Sequence, residues 1–250
     1  MKNLPVLTIL LAALLLTGCS NLINSGENTT TIRASDTIIS EERSVSDITG
    51  IDFSAIGQVI LTQGDQESLT IQGSDNIVPL IKTPVRDGVL YIETDEPLSI
   101  SGMDNKNMLI LTITVKDLNK MAVSGLGDIQ MDSLNTADLT MTVSGGGRLV
   151  LGQLTAENLT VSVSGLGDVD IAGEVLSAKI EIPGGGSIQA PDLKIGTADV
   201  NISGLGDATL WVTDRLTGNI SGGGSVSYYG DPQVDTNVSG LGDFVPKGNK

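Results

Sequence analysis

The chain has 250 residues, 30 of them acidic and 14 basic, for a formal net charge of −16, with no histidine and one cysteine. The missing histidine, with the one thiol at position 19, excludes Ser-His-Asp, Cys-His and histidine-based metal sites, and the acidic balance leaves no basic surface for nucleic acid. Phe53, Tyr91, Trp211, Tyr228, Tyr229 and Phe244 are the only aromatic residues, so the core is expected to be a thin stack of aliphatic side chains, and material for a sugar-stacking platform is short.

Met1 and Lys2 form a short positive start, and Leu4 to Leu16 is an apolar run interrupted only by Pro5 and Thr8. This is the layout of a secretory signal over residues 1–18. The run is shorter than the roughly 20 apolar residues that a spanning helix requires. Leu16-Thr17-Gly18-Cys19 resembles the lipobox of bacterial lipoproteins. That resemblance implies that Cys19 becomes the mature N-terminus and carries a diacylglycerol and a further acyl chain such as palmitate. Several chains of that kind hold a protein to a membrane where one holds only marginally. Residues 19–35, rich in Ser, Asn, Thr and Gly, read as the lipidated start and a flexible tether. By resemblance to Gram-negative lipoproteins, Ser20 after the cysteine implies sorting to the outer membrane. Removing residues 1–18 takes away Lys2 and no acid, so the mature charge is 13 − 30 = −17. The membrane link is therefore the lipid and not a basic patch.

From residue 36 on the pattern is β. Phe53-Ser54-Ala55-Ile56-Gly57-Gln58-Val59-Ile60-Leu61 looks like a degenerate turn and its following strand, and Gly88 to Glu93 and Met108 to Val115 are further strand candidates. Asp75 to Lys82 admits one short helical turn, limited by Pro79. No linker interrupts residues 36–246, which read as one domain with a tail at 247–250.

The strongest internal signal is repetition. Ser124-Gly125-Leu126-Gly127-Asp128 recurs as Ser164-Gly165-Leu166-Gly167-Asp168, Ser203-Gly204-Leu205-Gly206-Asp207 and Ser239-Gly240-Leu241-Gly242-Asp243. Between these copies lie Ser144-Gly145-Gly146-Gly147-Arg148, Pro183-Gly184-Gly185-Gly186-Ser187 and Ser221-Gly222-Gly223-Gly224-Ser225. The two forms alternate at intervals of 18 to 20 residues. Each turn follows an apolar-hydroxyl alternation such as Leu139-Thr140-Met141-Thr142-Val143 and precedes a short strand such as Leu149-Val150-Leu151. Such a period means an all-β solenoid in which each coil buries its apolar face against its neighbours.

In a parallel stack, equivalent positions lie about 4.8 Å apart. The middle of the turn then makes a column Leu126, Gly146, Leu166, Gly185, Leu205, Gly223, Leu241, large over small. The expectation is that these leucines fill a corner of the core, with the intervening glycines leaving room, and that the flanking glycines supply positive φ at a tight corner. The last turn position makes the column Asp128, Arg148, Asp168, Ser187, Asp207, Ser225, Asp243. Its carboxylates stand on alternate coils about 9.6 Å apart, close to the Debye length in physiological salt, and Arg148 is placed to pair with both neighbours. The competing arrangements are a calcium ladder like that of nonapeptide solenoids, and a 40-residue coil in which the aspartates stack directly and need cations.

The repeated turns, the opening Phe53 to Leu61 followed by Gly64-Asp65, and the ending Tyr228-Tyr229-Gly230-Asp231-Pro232 running into Ser239 to Phe244 resemble the putative auto-transporter adhesin head, or GIN, domain over about residues 40–246. The resemblance implies a right-handed parallel β-helix on a bacterial envelope protein, here with coils of 18–20 residues, and brings no catalytic residues. The glycine strings are not phosphate loops, since none runs into Lys-Ser or Lys-Thr and a helix. Basic residues are too scattered for the clustered acid-base groove of a β-helix polysaccharide enzyme. The reading is therefore non-enzymatic and cofactor-free: a lipid-anchored envelope module meeting a surface protein or glycan. The alternatives are a self-assembling scaffold and a calcium- or carbohydrate-binding module. Pro232, Pro246 and Lys247 at the C-terminal end block edge pairing and favour the module over the polymer.

Overall fold

A computed structural model describes residues 30–95 and 98–250. The predicted lipidation site Cys19, the signal and most of the tether lie outside the described residues. Within them there is no α-helix; the one helical element is the 3-10 turn Val78–Leu80, inside the predicted span and carrying Pro79 in its first turn.

The strands stack into two parallel columns joined at the repeated turns. The column before the turn runs from Gly50–Phe53 through Lys120–Val123 and Asp138–Val143 onward, with Phe53, Val123, Val143 and Val163 in successive register. The column after it runs from Gln58–Gln63 through Asp128–Asn135 to the strand starting at Arg148, and Val59, Ile129, Leu149 and Val169 follow one another. All eight of these side chains are buried. Alternation along each strand explains this: one face in two points inward, and the inward face is the aliphatic one.

Register settles the coil length. Asp128 pairs with Arg148, Arg148 with Asp168, and Asp168 with Ser187, so one coil takes 18–20 residues and not 40. The opening Ser54 to Gly57 segment occupies the position of a first turn, since Gln58 pairs with Asp128 and a Cβ on Gly125 would meet the Ala55 carbonyl at 2.3 Å.

The two ends of the solenoid differ. At the N-terminal end Ile38–Arg43 runs antiparallel to Ser68–Ser74, which runs antiparallel to Ile110–Val115. Val85–Arg86 likewise turns back on Val89–Thr94, so reversed strands close that end. At the other end Gln233–Val238 pairs on one side only among the described residues. Val234 and Val238, in register with buried Leu216 and Ile220, are 41% and 42% exposed. Phe244 lies half-buried across Gly218, where a Cβ would stand 2.8 Å from its Cζ.

Candidate interaction surface

The seven repeated turns line up along one edge as a backbone ladder. In the middle coils the carbonyl of the second turn residue accepts from two amides of the next coil: Gly145 O takes hydrogen bonds from Leu166 N at 3.0 Å and Gly167 N at 3.2 Å, and Gly184 O takes them from Leu205 N at 2.9 Å and Gly206 N at 3.2 Å. The glycines therefore serve contact between coils. Among the described residues the positive-φ glycines are Gly57, Gly88, Gly102, Gly173, Gly230 and Gly248, none of them in the repeated turns. The expectation of left-handed corners is thus overturned. A Cβ on Gly145, Gly165 or Gly204 would lie 2.2, 2.0 or 1.9 Å from the preceding coil's glycine carbonyl, and one on Gly147, Gly167 or Gly186 would lie 2.0, 1.9 or 1.9 Å from one. Gly127 meets the Phe53 ring instead, at 2.1 Å. The same close approach holds at Gly184, Gly206, Gly222, Gly224, Gly240 and Gly242. Two backbones at strand spacing leave no room for a methyl group pointing along the stack.

The middle position behaves differently, and the packing expectation for it fails. Leu126, Leu166, Leu205 and Leu241 are 70%, 79%, 76% and 94% exposed. Turn residues alternate direction as strand residues do. The fourth-position glycine is buried, its Cβ direction closed by the preceding coil, so the third position, one residue earlier, points outward. The large-over-small alternation is real but external: a Cβ on Gly146, Gly185 or Gly223 would meet only the Cδ2 of Leu126, Leu166 or Leu205, at 3.1, 3.1 and 3.0 Å. Leu126, Leu166 and Leu205 each lean over the glycine of the next coil.

The last-position column is also outward and has a local role that the sequence did not suggest. Asp168 Oδ1 accepts from Ser187 Oγ at 2.6 Å and Ser187 N at 3.2 Å, and Asp207 Oδ1 accepts from Ser225 N at 2.7 Å. Asp168 and Asp207 thus hold the coils that follow them. Arg148 does not bridge Asp128 and Asp168; its Nε donates to Asp170 Oδ2 at 2.6 Å. Outside the turns, hydrogen bonds to Glu174 and Glu181 raise the Lys194 and Lys179 ammonium groups above their ordinary value. Among the described residues no three His, Cys, Asp or Glu side chains converge as a metal site. The N-terminal end of the edge opens into a shallow hollow of about 250 Å³ lined by Ala55, Ile56, Leu98, Ile100 and Leu126.

One cluster went unseen in the sequence. Trp211 pairs in register with Tyr229, and Lys250 Nζ lies 5.3 and 5.7 Å from their ring centroids while donating to the Pro191 carbonyl and the Asp192 carboxylate. The signal was present: the 18-residue offset from Trp211 to Tyr229 equals that from the turn at 203 to the turn at 221. The chain's own lysine thus occupies the faces of its best-placed ring pair.

The repeated turns on a parallel aliphatic stack invite comparison with known proteins. A family model described as putative auto-transporter adhesin, head GIN domain, matches residues 47–232. The chain belongs to this family. A crystal structure of a putative adhesin from Bacteroides fragilis shares 28% identity with this GIN protein, covering 86% of this chain and 99% of that one, with a TM-score of 0.79. A putative lipid binding protein from Parabacteroides distasonis, at 20% identity and TM-score 0.70, covers 87% and 99% of the two chains. A putative adhesin from Parabacteroides merdae, at 19% and 0.68, covers 86% and 98%. These last two show the shared fold. No curated protein matches the chain. The family and the Bacteroides fragilis neighbour are described as adhesin-like and not as enzymes, which fits an adhesin-like role at the cell surface or envelope.

Proposed function

We propose that this GIN protein is a non-enzymatic, lipid-anchored envelope protein with an adhesin-like role, contacting its partner through the turn edge. The observation that carries the reading is the row of four exposed leucines in register on that edge. A soluble surface exposes single apolar side chains freely, but a repeated row on a rigid scaffold marks a contact surface. The aliphatic core holds the row still, so little ordering entropy is lost on binding. Cys19 supplies the anchor and residues 20–35 the tether. Ser20 favours the Gram-negative outer membrane, and the partner is an envelope or surface protein or glycan, not nucleic acid.

The test is retention of beads bearing the full chain on cell-surface material. Replacing Leu126, Leu166, Leu205 and Leu241 together by serine should lower retention at least tenfold, while Leu176→Ser, a 66% exposed leucine outside the repeated turns, should leave it unchanged. Equal retention by the fourfold variant would refute the reading.

A further inference from the structure

We infer that the turn edge recognises a second copy of itself, the two edges running antiparallel and offset by one coil. The inference rests on the adhesin-like reading and names the partner of the same surface. Its basis is that the two alternating turn forms differ at both outward positions, so that an offset that sets one form over the other makes both columns complementary.

When two identical edges meet face to face about a two-fold axis lying across the turns, the coil directions oppose and each column meets its own counterpart. With the axis passing between the coils of Leu166 and Gly185, leucine never opposes leucine among the seven repeated turns. Leu166 of one copy stands over the second copy's Gly185, and by the same rule Leu126 stands over Gly223 and Leu205 over Gly146. These glycines are exposed, and outside the coil their Cα positions face open solvent apart from the one Cδ2 leaning over each. Each of these leucines thus meets a glycine turn and not another leucine, the leucine already leaning over that glycine swinging aside, and Leu241 falls opposite the opening turn at Ile56.

The second column obeys the same offset. Asp168 falls opposite the second copy's Ser187, Asp128 opposite Ser225 and Asp207 opposite Arg148. Each of these three carboxylates thus faces a hydroxyl or a guanidinium, and Asp243 falls opposite Gln58 of the opening turn. In the unshifted antiparallel arrangement Asp128 would face Asp243 and Asp168 would face Asp207. Like charges set together across an interface disfavour that arrangement. Two copies related by an axis along the solenoid cannot slip by a coil and would set leucine on leucine. The strict alternation of the two turn forms disfavours every shift that sets like turns together, and of the remaining shifts the one centred between Leu166 and Gly185 keeps the most turns in contact, the opening turn at Ser54 to Gly57 included.

The edge is roughly 30 Å long and about 15 Å wide at ordinary strand spacings, well under the roughly 800 Å² per partner of a standard interface. A pair of single copies is therefore weak, and many copies anchored side by side multiply it. Because the rods are antiparallel, their N-terminal ends point apart. Given the Cys19 anchor, that geometry suits contact between two facing membranes.

The test places a photo-crosslinking benzoylphenylalanine at position 166 of the full chain in cell envelopes. The expected result is a covalent dimer whose crosslinks map to residues 183–187 of the second copy. Sedimentation equilibrium of the full chain in detergent should show a concentration-dependent dimer, weakened at least tenfold by the fourfold leucine-to-serine change and severalfold by Ser187→Asp. Circular dichroism melting confirms that the variants fold. A chain monomeric at every concentration, or crosslinks mapping to residues 164–168, overturns the inference. Crosslinks only to a different molecule overturn it as well while leaving the adhesin-like reading standing. If, in addition, surface retention ignores the leucines, both fall.

Discussion

Alanine in place of Gly186 and, separately, in place of Gly185 should have opposite consequences although the two residues are neighbours in one turn. At Gly186 the new Cβ would lie 1.9 Å from the Gly167 carbonyl oxygen and 2.7 Å from Val163 Cγ1. Reaching the 3.0 Å below which real Cβ contacts essentially do not occur needs a shift of 3.0 − 1.9 = 1.1 Å between hydrogen-bonded coils. That displacement stretches the bond from Gly186 N to Gly165 O, now 3.1 Å, and its neighbours in the ladder. Overpacking costs typically about 1–3 kcal/mol, and each backbone bond lost adds about 1 kcal/mol. Gly186→Ala should therefore destabilise by about 3 kcal/mol or more. At Gly185 the Cβ meets only the mobile end of Leu166, at 3.1 Å in solvent, and the residue does not have positive φ. The leucine swings aside, and the loss of unfolded-chain freedom contributes about 0.4–1 kcal/mol in favour of folding. Gly185→Ala should be neutral to slightly stabilising. Urea unfolding of both variants, monitored at the single tryptophan, gives the two free energies. Equal effects, or a greater loss at Gly185, would refute the assignment of inward and outward turn positions.

Other consequences are as direct. Leu149→Ala should cost about 2–5 kcal/mol, since that side chain is fully buried, whereas Leu166→Ser should stay within about 0.5 kcal/mol of the parent in the same unfolding assay. Cys19→Ala should leave the chain unlipidated and released from membranes on fractionation, with mass spectrometry reading the missing acyl groups. Thermal midpoints in chelator and in millimolar calcium should agree, because the turn aspartates stand on alternate coils and Asp168 and Asp207 already accept hydrogen bonds from Ser187 and Ser225; a rise of ten degrees or more with calcium would show a cation site.

The coil was legible because a repeat of 18–20 residues fixes which residues stack, and Asp168 over Arg148 follows from counting. Strand alternation made the inward set at Leu139, Met141 and Val143 readable for the same reason. What counting does not fix is direction at the corner. The apolarity of leucine predicts Leu166 inside, yet the buried position is Gly167, where nothing larger fits against the Gly147 carbonyl. Steric demand between backbones decided the orientation, and hydrophobicity yielded. Positive φ, the expectation for the turn glycines, is a property of one residue, whereas the constraint belongs to two coils at strand spacing. Arg148 shows a similar limit: Asp170, two residues along the next coil, took the ion pair from the carboxylates of its own column.

The account stands on the turn leucines facing outward to meet a partner, and hydroxyl-radical footprinting with mass spectrometry measures this side chain by side chain. Leu126, Leu166, Leu205 and Leu241 should oxidise at the rate of exposed leucines in the free protein and become protected on the bound surface. Leu149 and Leu210, both buried, should stay unmodified throughout. Inert turn leucines in the free protein, or leucines that oxidise equally when bound, would contradict it.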